Sequence, residues 1–229
     1  MTFHIITIFP ESFESYTKSS IIGRAIKDKK VILKFYNPRD FTKDKHRRVD
    51  QKPYGGGPGM VLEAASVIKA VEKALSPSSV PLPLTLRGGP KKKLVVWLNP
   101  SGKQFDNKVA EKISKKYSDV VIICGRYEGI DARVKAIIKK WKEVKMEELS
   151  VGPYVVTGGE LPAMVILDTV ARRIPGVLGK IESVEENRIS SSDVYTRPEV
   201  LTYKGKKYRV PKVLLSGHHQ KIEEWKKGK

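Results

Sequence analysis

Short apolar segments alternate with helix-forming segments through the first half of this sequence. The strand patterns are HIITIF, VILKFYN, LVVWLNP and DVVIIC, and the helix patterns between them are SSIIGRAIKD, EAASVIKAVEKAL and FDNKVAEKISKKY. Strands that are apolar throughout and are separated by helices indicate a parallel sheet buried on both sides. The sequence therefore predicts an α/β fold with a mostly parallel sheet and helices on both faces.

The pattern changes after this alternation. The segment ELPAMVILDTVARRIPGVLG predicts one more helix, which Pro175 and Gly176 end. Its apolar positions are Leu161, Met164, Val165, Leu167 and Ile174. A polar stretch and a tail with few apolar residues follow. We expect a large domain in residues 1–179, a linker in 180–194 and a small, shortened helical domain in 195–229.

The balance of charge is strongly basic, with 44 Lys and Arg against 25 Asp and Glu, a net charge of +19. Such a surface attracts a polyanion, so nucleic acid is the expected partner. Lysines that only keep a soluble enzyme dispersed are the alternative. No apolar run is long enough to span a membrane, and the N-terminus lacks the features of a signal peptide. We therefore expect a cytoplasmic protein with no membrane partner, in which Cys124 is a small core residue.

Three segments concentrate glycine: RRVDQKPYGGGPGM, CGRYEGID and VGPYVVTGGELPAM. None matches the usual phosphate-binding or dinucleotide-binding patterns. Glycine allows backbone groups to approach a ligand closely, and loops at the ends of parallel strands meet at one edge of the sheet. One composite ligand pocket is one interpretation, and three ordinary tight turns is the other.

These glycine segments, together with IFPESF, IPGVLG, YTRPEVL and PKVLLSGHH, resemble the TrmD family of bacterial tRNA (guanine-N1)-methyltransferases, in the SPOUT class. The resemblance follows the family's order over nearly the whole chain. It implies a C-terminal trefoil knot in the large domain that holds S-adenosylmethionine, and a homodimer with active sites at its interface. It also implies methylation of guanine N1 at tRNA position 37, next to the anticodon, with Mg²⁺ as a possible aid.

The resemblance assigns the cofactor pocket to three loops. The residues are Leu98, Pro100, Gly125, Tyr127, Glu128, Val151, Gly152, Pro153, Tyr154, Val155, Val156, Gly158, Gly159 and Pro162. Pro153 stands where the family has an aspartate, which removes a side-chain acceptor. Glu128 has three possible roles: it faces the cofactor, it faces the target base, or it caps a helix that begins near Asp131.

Methylation of guanine N1 requires a base that accepts the N1 proton and a cation that stabilises charge on O6. The resemblance assigns the cation to Arg172, with Arg173 as a neighbouring charge. It places the acid four residues before the tyrosine of YTRP, where this chain has Ser191. Serine alone is not a base at neutral pH, so we expect Asp193 to take this role. Support from Glu128, or a turn-capping role for Asp193, are the alternatives.

We expect RNA contacts in two basic regions. The resemblance places the first region against the anticodon stem or the substrate bases, through Arg39, His46, Arg47, Arg48 and Asp50. The second region offers candidate phosphate contacts at Arg197, Lys206, Lys207 and Arg209. Tyr54, between them in the sequence, has a possible core role instead. Typical members continue into further helices after SGHHQKIEEWKKGK, so a weaker grip on tRNA is possible. The rival functions are a catalytically silent RNA-binding module and a methyltransferase that acts on ribosomal RNA.

Overall fold

A computed structural model describes residues 1–76, 92–178 and 193–228. The chain divides into two compact units, Met1–Gly179 and Lys180–Lys229. The assignment of cofactor, linker and tRNA-binding roles to these parts remains a prediction. No helix in the three described ranges is long and apolar enough to cross a membrane.

Within its described residues, the first unit contains seven strands, six α-helices and two short 3-10 helices. In chain order the regular elements are β1 (Thr2–Ile6), α1 (Glu14–Thr17), α2 (Ser20–Lys27), β2 (Ile32–Tyr36), β3 (Asp50–Gln51), β4 (Val61–Leu62), α3 (Ala64–Leu75), β5 (Lys93–Gln104), α4 (Asn107–Lys116), β6 (Asp119–Ile123), α5 (Ala132–Ile138), β7 (Val144–Ser150) and α6 (Glu160–Ala171). The 3-10 helices are Pro10–Phe13 and Pro38–Asp40.

A five-stranded parallel sheet forms the centre of this unit, in the order β2-β1-β6-β5-β7. Helices α2, α4 and α6 cover one face, where Phe3, Leu94 and Ile122 are fully buried. Helices α3 and α5 cover the other, where Ile6 and Val95 are fully buried. Each such side chain contributes about 1.5–3 kcal/mol by leaving water. The predicted α/β fold with a mostly parallel sheet is confirmed.

Strand β5 extends beyond the predicted LVVWLNP segment. Leu98 and Lys103 both pair with Leu149 of β7, so residues 99–102 are an insertion in the ladder. An extra segment in a strand commonly redirects side chains beside a functional site. Here it brings Asn99 and Pro100 to the carboxyl edge of the sheet.

Helix α6 presents two apolar faces rather than one. Its buried side includes Ala163, Ile166 and Val170, whereas Leu161 is 58% exposed and Val165 is 46% exposed. The apolar pattern predicted for this helix therefore combines core positions with positions on the surface of the single chain. A helix that is apolar around its circumference is usually covered on both sides.

The second unit contains an antiparallel hairpin as well as helices. Strands β8 (Val200–Tyr203) and β9 (Lys206–Arg209) pair with each other and are followed by α7 (Lys212–Leu215) and α8 (His219–Lys227). The prediction of a helical domain missed this hairpin. Its strands bury no apolar face, so the sequence lacks the alternation that reveals a strand.

Candidate cofactor cavity and active site

A cavity of about 320 Å³ lies where β5, β6 and β7 end. It is formed by residues 98–100, 125–129 and 149–152, by residues 154–159, and by Pro162. Its volume is at the lower end of the range of about 300–1,000 Å³ that is typical of small-molecule sites. All the predicted cofactor residues except Pro153 line it. Pro153 is exposed, so the cavity gives its predicted cofactor contact no support.

The loop after β7 is held by its own backbone and side chains. The Ser150 hydroxyl donates to the Gly152 carbonyl at 2.9 Å, and the Tyr154 hydroxyl donates to the Val151 carbonyl at 3.3 Å. A Cβ atom on Gly152 would lie only 2.1 Å from the Tyr154 ring. The glycine is therefore required for the ring to fold back over the loop.

The same loop crosses to the end of β6. Gly158 forms a bridge with Arg126, and the Gly159 amide donates to the Gly125 carbonyl at 2.9 Å. A Cβ atom on Gly159 would lie 2.5 Å from the Cα of Cys124. Close approach of two backbones explains why a glycine is needed here. The loops after β6 and β7 consequently form one continuous wall of the cavity.

A buried acid lies behind this wall. Glu160, at the start of α6, is only 3% exposed, and its Oε2 lies 2.9 Å from the Arg126 Nε. Thr7 donates a 2.7 Å hydrogen bond to its other oxygen. The nearby Cys124 thiol has a pKa well above its ordinary value, first because it is buried and second because Glu160 is close. Its raised pKa agrees with the predicted core role.

Glu128 lies between the cavity and the first glycine segment. Its amide donates to the Met60 carbonyl at 3.0 Å, and a Cβ atom on Gly59 would lie 2.6 Å from its Oε1. The capping role suggested for Glu128 is wrong, because Asp131 caps α5 by accepting a hydrogen bond from the Arg133 amide. The Arg133 guanidinium beside Asp131 lowers the pKa of that carboxyl group.

The proposed catalytic residues lie in different parts of the chain. Arg172 is half-buried at the end of α6 and forms no side-chain hydrogen bond within the described residues. Arg173 instead donates to the Thr169 carbonyl and to Asn107 of α4, at 2.5 and 2.8 Å. Asp193 is exposed and belongs to the second unit, while Ser191 lies outside the described residues. The roles of Asp193 and Arg172 therefore remain predictions.

The first basic region runs from the 3-10 helix Pro38–Asp40 through a loop to the start of β3. Arg39 donates to the Ile8 carbonyl at 2.8 Å and lies over the Phe9 ring, whereas Arg47 and Arg48 are exposed and pair with aspartates within the loop. His46 is exposed and Asp50 is half-buried in β3. The suggested core role for Tyr54 is wrong, because this side chain is fully exposed.

The second basic region is the hairpin of the second unit. Lys206, Lys207 and Arg209 all lie on β9 and are exposed, as is Arg197 before the hairpin. Because side chains alternate along a strand, Lys207 and Arg209 share one face. Lys206 shares the opposite face with Tyr208.

No group of three or more His, Cys, Asp or Glu side chains in the described ranges is arranged to hold a metal ion. Participation of Mg²⁺ stays a prediction from the resemblance. Sequence reasoning also missed several residues that line the cavity. They are Asn99, Arg126, Gly129, Leu149, Ser150 and Thr157. Arg126 was present in the CGRYEGID segment, where a charge directly after Gly125 was a signal that could have identified it.

Comparison with known proteins extends these observations. A family model described as tRNA (Guanine-1)-methyltransferase TrmD matches residues 1–229. A protein of Pseudoalteromonas atlantica (strain T6c / ATCC BAA-1087) is 43% identical over 98% of this chain and 78% of its own length. One of Dictyoglomus turgidum (strain DSM 6724 / Z-1310) is 44% identical over 97% and 82%. One of Clostridioides difficile (strain 630) is 39% identical over 99% and 91%. All three are named tRNA (guanine-N(1)-)-methyltransferase.

Proposed function

Because this chain belongs to the TrmD family of tRNA (guanine-N1)-methyltransferases, we propose that it methylates N1 of the guanine at position 37 of tRNA. S-adenosylmethionine is the methyl donor of such an enzyme. The observation that carries the proposal is the cavity at the carboxyl ends of β5, β6 and β7, in a chain that matches the family over its whole length.

The lining of the cavity fits S-adenosylmethionine. Gly125 and Gly158 carry no side chain, so the backbone of the lining can come close to the polar edge of an adenine, and Leu98, Val151 and Val156 provide apolar contacts. When bound, the cofactor supplies a methyl group on a positively charged sulfur. Transfer of that methyl group to N1 would form the C–N1 bond at the expense of the S–C bond and would leave an uncharged thioether, so the protein would have to supply a base for the N1 proton.

In this proposal Asp193 accepts the N1 proton and Arg172 stabilises the negative charge that develops on O6. Arg172 is suited to this role because the described residues do not occupy its guanidinium, whereas Arg173 is bound to Asn107. Asp193 is the acidic residue nearest to the family position that Ser191 fills. Glu128 lines the cavity and assists by holding the target guanine or the cofactor.

The RNA contacts follow from charge and exposure. His46, Arg47 and Arg48 form an exposed basic loop in the first unit, and Lys207 and Arg209 form a basic face on the hairpin. Phosphate contacts of this kind supply most of the affinity for a nucleic acid without reading its sequence. Asp50 is the candidate for reading the N–H edge of a guanine. A tRNA substrate places the protein in the cytoplasm.

A second copy of this chain is the expected partner for α6. Leu161, Val165, Asp168 and Arg172 follow one another at intervals of three or four residues, so they lie along one side of the helix. The first two are exposed apolar residues, and Arg172 ends the stripe. A twofold contact through this stripe buries the apolar residues and places Arg172 at the interface. The site then lies between two protomers.

The path of the chain after β7 supports the predicted knot. The segment leaves the edge strand, passes the end of β5 and bonds to the end of β6 through Gly159. In this proposal the segment after β7 forms the trefoil knot that is expected for the SPOUT class. Mg²⁺ assists the reaction in the same proposal, without an assigned ligand.

The decisive experiment uses labelled S-adenosylmethionine and unmodified tRNA transcripts with guanines at positions 36 and 37. We expect label in 1-methylguanosine at position 37, and none when that position is adenine. Binding of both substrates without methyl transfer would instead support a silent RNA-binding module. Transfer to ribosomal RNA but not to tRNA would support the other rival function, a methyltransferase that acts on ribosomal RNA.

A further inference from the structure

Glu160 is a buried carboxyl group that the proposed chemistry does not use. Its Oε1 accepts a 2.7 Å hydrogen bond from Thr7, and its Oε2 lies 2.9 Å from the Arg126 Nε. A carboxylate in this environment is stable only beside a cation and hydrogen-bond donors. The ion pair is close but poorly aligned for a hydrogen bond, and neither atom has another partner within the described residues. Glu160 is therefore held by the Thr7 hydroxyl and paired with the Arg126 guanidinium.

Arg126 connects this buried acid to the cavity. Its guanidinium lies over the Phe9 ring, 4.6 Å from the centroid, and forms a long 3.5 Å hydrogen bond to the Thr157 carbonyl. A Cβ atom on Gly158 would lie 2.4 Å from the Arg126 Nε. Arg126 thus packs directly against residues 157–159, and it also lines the cavity.

We propose that Glu160 is a positioning residue for the cofactor. By fixing Arg126, it holds residues 157–159 against the loop after β6 and keeps the cavity wall closed. The identity of the cofactor rests on the proposed function, but the holding of the wall does not. Glu160 is buried behind the wall and touches no reacting atom, so its loss weakens cofactor binding and leaves the methyl-transfer step unchanged.

The test compares Glu160→Gln with the wild-type protein. Glutamine keeps the shape of the side chain and removes its charge. By calorimetry with S-adenosylmethionine alone, we expect affinity to fall about tenfold. At saturating cofactor, kcat and the KM for tRNA should stay within about twofold of wild type. Glu111→Gln is the matched control, because Glu111 is exposed on α4 and pairs with Lys115.

A second measurement does not depend on the cofactor. Hydrogen exchange of the Gly159 amide, which bonds to Gly125, should quicken in Glu160→Gln without cofactor, while amides of β6 exchange as before. Thr7→Val is a second variant, which removes the hydroxyl that donates to Glu160 and that also accepts a 3.0 Å hydrogen bond from the Phe9 amide. It should change cofactor affinity and Gly159 exchange in the same direction as Glu160→Gln, but by a smaller amount.

Three results would overturn the inference: unchanged affinity in folded Glu160→Gln, slower kcat at saturating cofactor with unchanged affinity, or unchanged exchange at Gly159. If Glu160→Gln does not fold, the same measurements on Thr7→Val test the inference. Wild-type cofactor affinity and wild-type Gly159 exchange in Thr7→Val would then overturn it. Failure of the wild-type protein to bind S-adenosylmethionine would refute the proposed function instead. The exchange comparison would still decide the positioning role.

Discussion

The amide of Gly159 donates a 2.9 Å hydrogen bond to the carbonyl of Gly125, which joins the loop after β7 to the end of β6. Strand β5 lies between these two strands in the sheet, so this bond closes the cavity over the end of β5. Both residues are glycine, but for different reasons. A Cβ atom on Gly159 would collide with the backbone of Cys124, whereas one on Gly125 would meet only the Ile130 side chain at 3.5 Å.

Gly159→Ala should therefore affect mainly the stability of the fold, whereas Gly125→Ala should affect mainly cofactor binding. Gly159→Ala forces the two backbones apart and should lower the free energy of unfolding by about 1–3 kcal/mol or more. Gly125→Ala should leave the melting temperature nearly unchanged, because its Cβ contact is an ordinary one, and should weaken S-adenosylmethionine binding by narrowing the cavity. Thermal unfolding and calorimetry on both variants test this. Equal melting temperatures for the two variants would contradict it.

Tyr16 should ionise at unusually high pH. Tyr16 is 42% exposed. The partial burial of the ring, together with the 2.8 Å hydrogen bond that its hydroxyl donates to Asp168, raises its pKa from 10.0 to about 12. The unfolded chain loses this proton near pH 10, so the stability supplied by neutral Tyr16 is fully present below pH 10. It is lost as the pH rises through about 12.

An NMR titration with ring-labelled tyrosine measures this pKa, and Tyr16→Phe identifies the resonance. Asp168→Asn removes the carboxylate and should move the pKa of Tyr16 back toward 10.0. A titration midpoint near 10 in the wild-type protein would refute the prediction.

The central sheet was predictable because its strands are apolar without interruption, which only a sheet covered on both faces explains. The two faces of α6 were harder to separate. Leu161 and Ile166 are equally apolar in the sequence, and only packing distinguishes them. The hairpin of the second unit was missed because Lys206, Lys207 and Tyr208 bury no face and so leave no periodic signal.

One of the two interpretations of the glycine segments, a ligand pocket at strand ends, holds for CGRYEGID and VGPYVVTGGELPAM, whereas RRVDQKPYGGGPGM does not line the cavity. The residues that support the cavity were not predictable. Glu160 reads in the sequence as an ordinary acid at the start of a helix. Its partners Thr7 and Arg126 are far from it along the chain, and only the fold brings them together. Long-range pairs of this kind leave no local pattern.

Val165→Glu should dissociate the expected homodimer. Val165 is half-exposed on α6 of the single chain, and a buried unpaired carboxylate at a twofold interface would be repeated in both copies. We expect a dimer for the wild-type protein and a monomer for the variant by size-exclusion chromatography with light scattering. Lys116→Gln, on the exposed side of α4, is the matched charge control, because it changes the net charge by the same amount. A monomeric wild-type protein, or a dimeric Val165→Glu, would contradict the prediction.

Lys207→Gln should weaken tRNA binding through the loss of a phosphate contact. One such contact changes the slope of log K against log salt by about one unit, and affinity should fall similarly for different tRNA sequences. Fluorescence anisotropy over a range of salt concentrations measures the slope. Lys116→Gln serves as the control, because it removes the same charge from the first unit. An unchanged slope in Lys207→Gln would show that this face of the hairpin does not contact RNA.

The last prediction concerns the proton acceptor, because this chain has serine at the expected position of the acid. If Asp193 is the base, Asp193→Asn should lower kcat by about 10²–10⁴-fold at saturating substrates, since asparagine cannot accept the N1 proton. Binding of S-adenosylmethionine and tRNA should be little changed. Ser191→Ala should retain nearly full activity, which makes it the matched control in the same segment.

Single-turnover rates with labelled cofactor and tRNA separate the chemical step from product release. Asp193→Asn should lose most of the rate of methyl transfer, because asparagine cannot accept the N1 proton. Arg172→Gln should also lower this rate, because it removes the cation that stabilises charge on O6. Full activity in Asp193→Asn, combined with inactivity in Glu128→Gln at saturating cofactor, would move the role of base to Glu128.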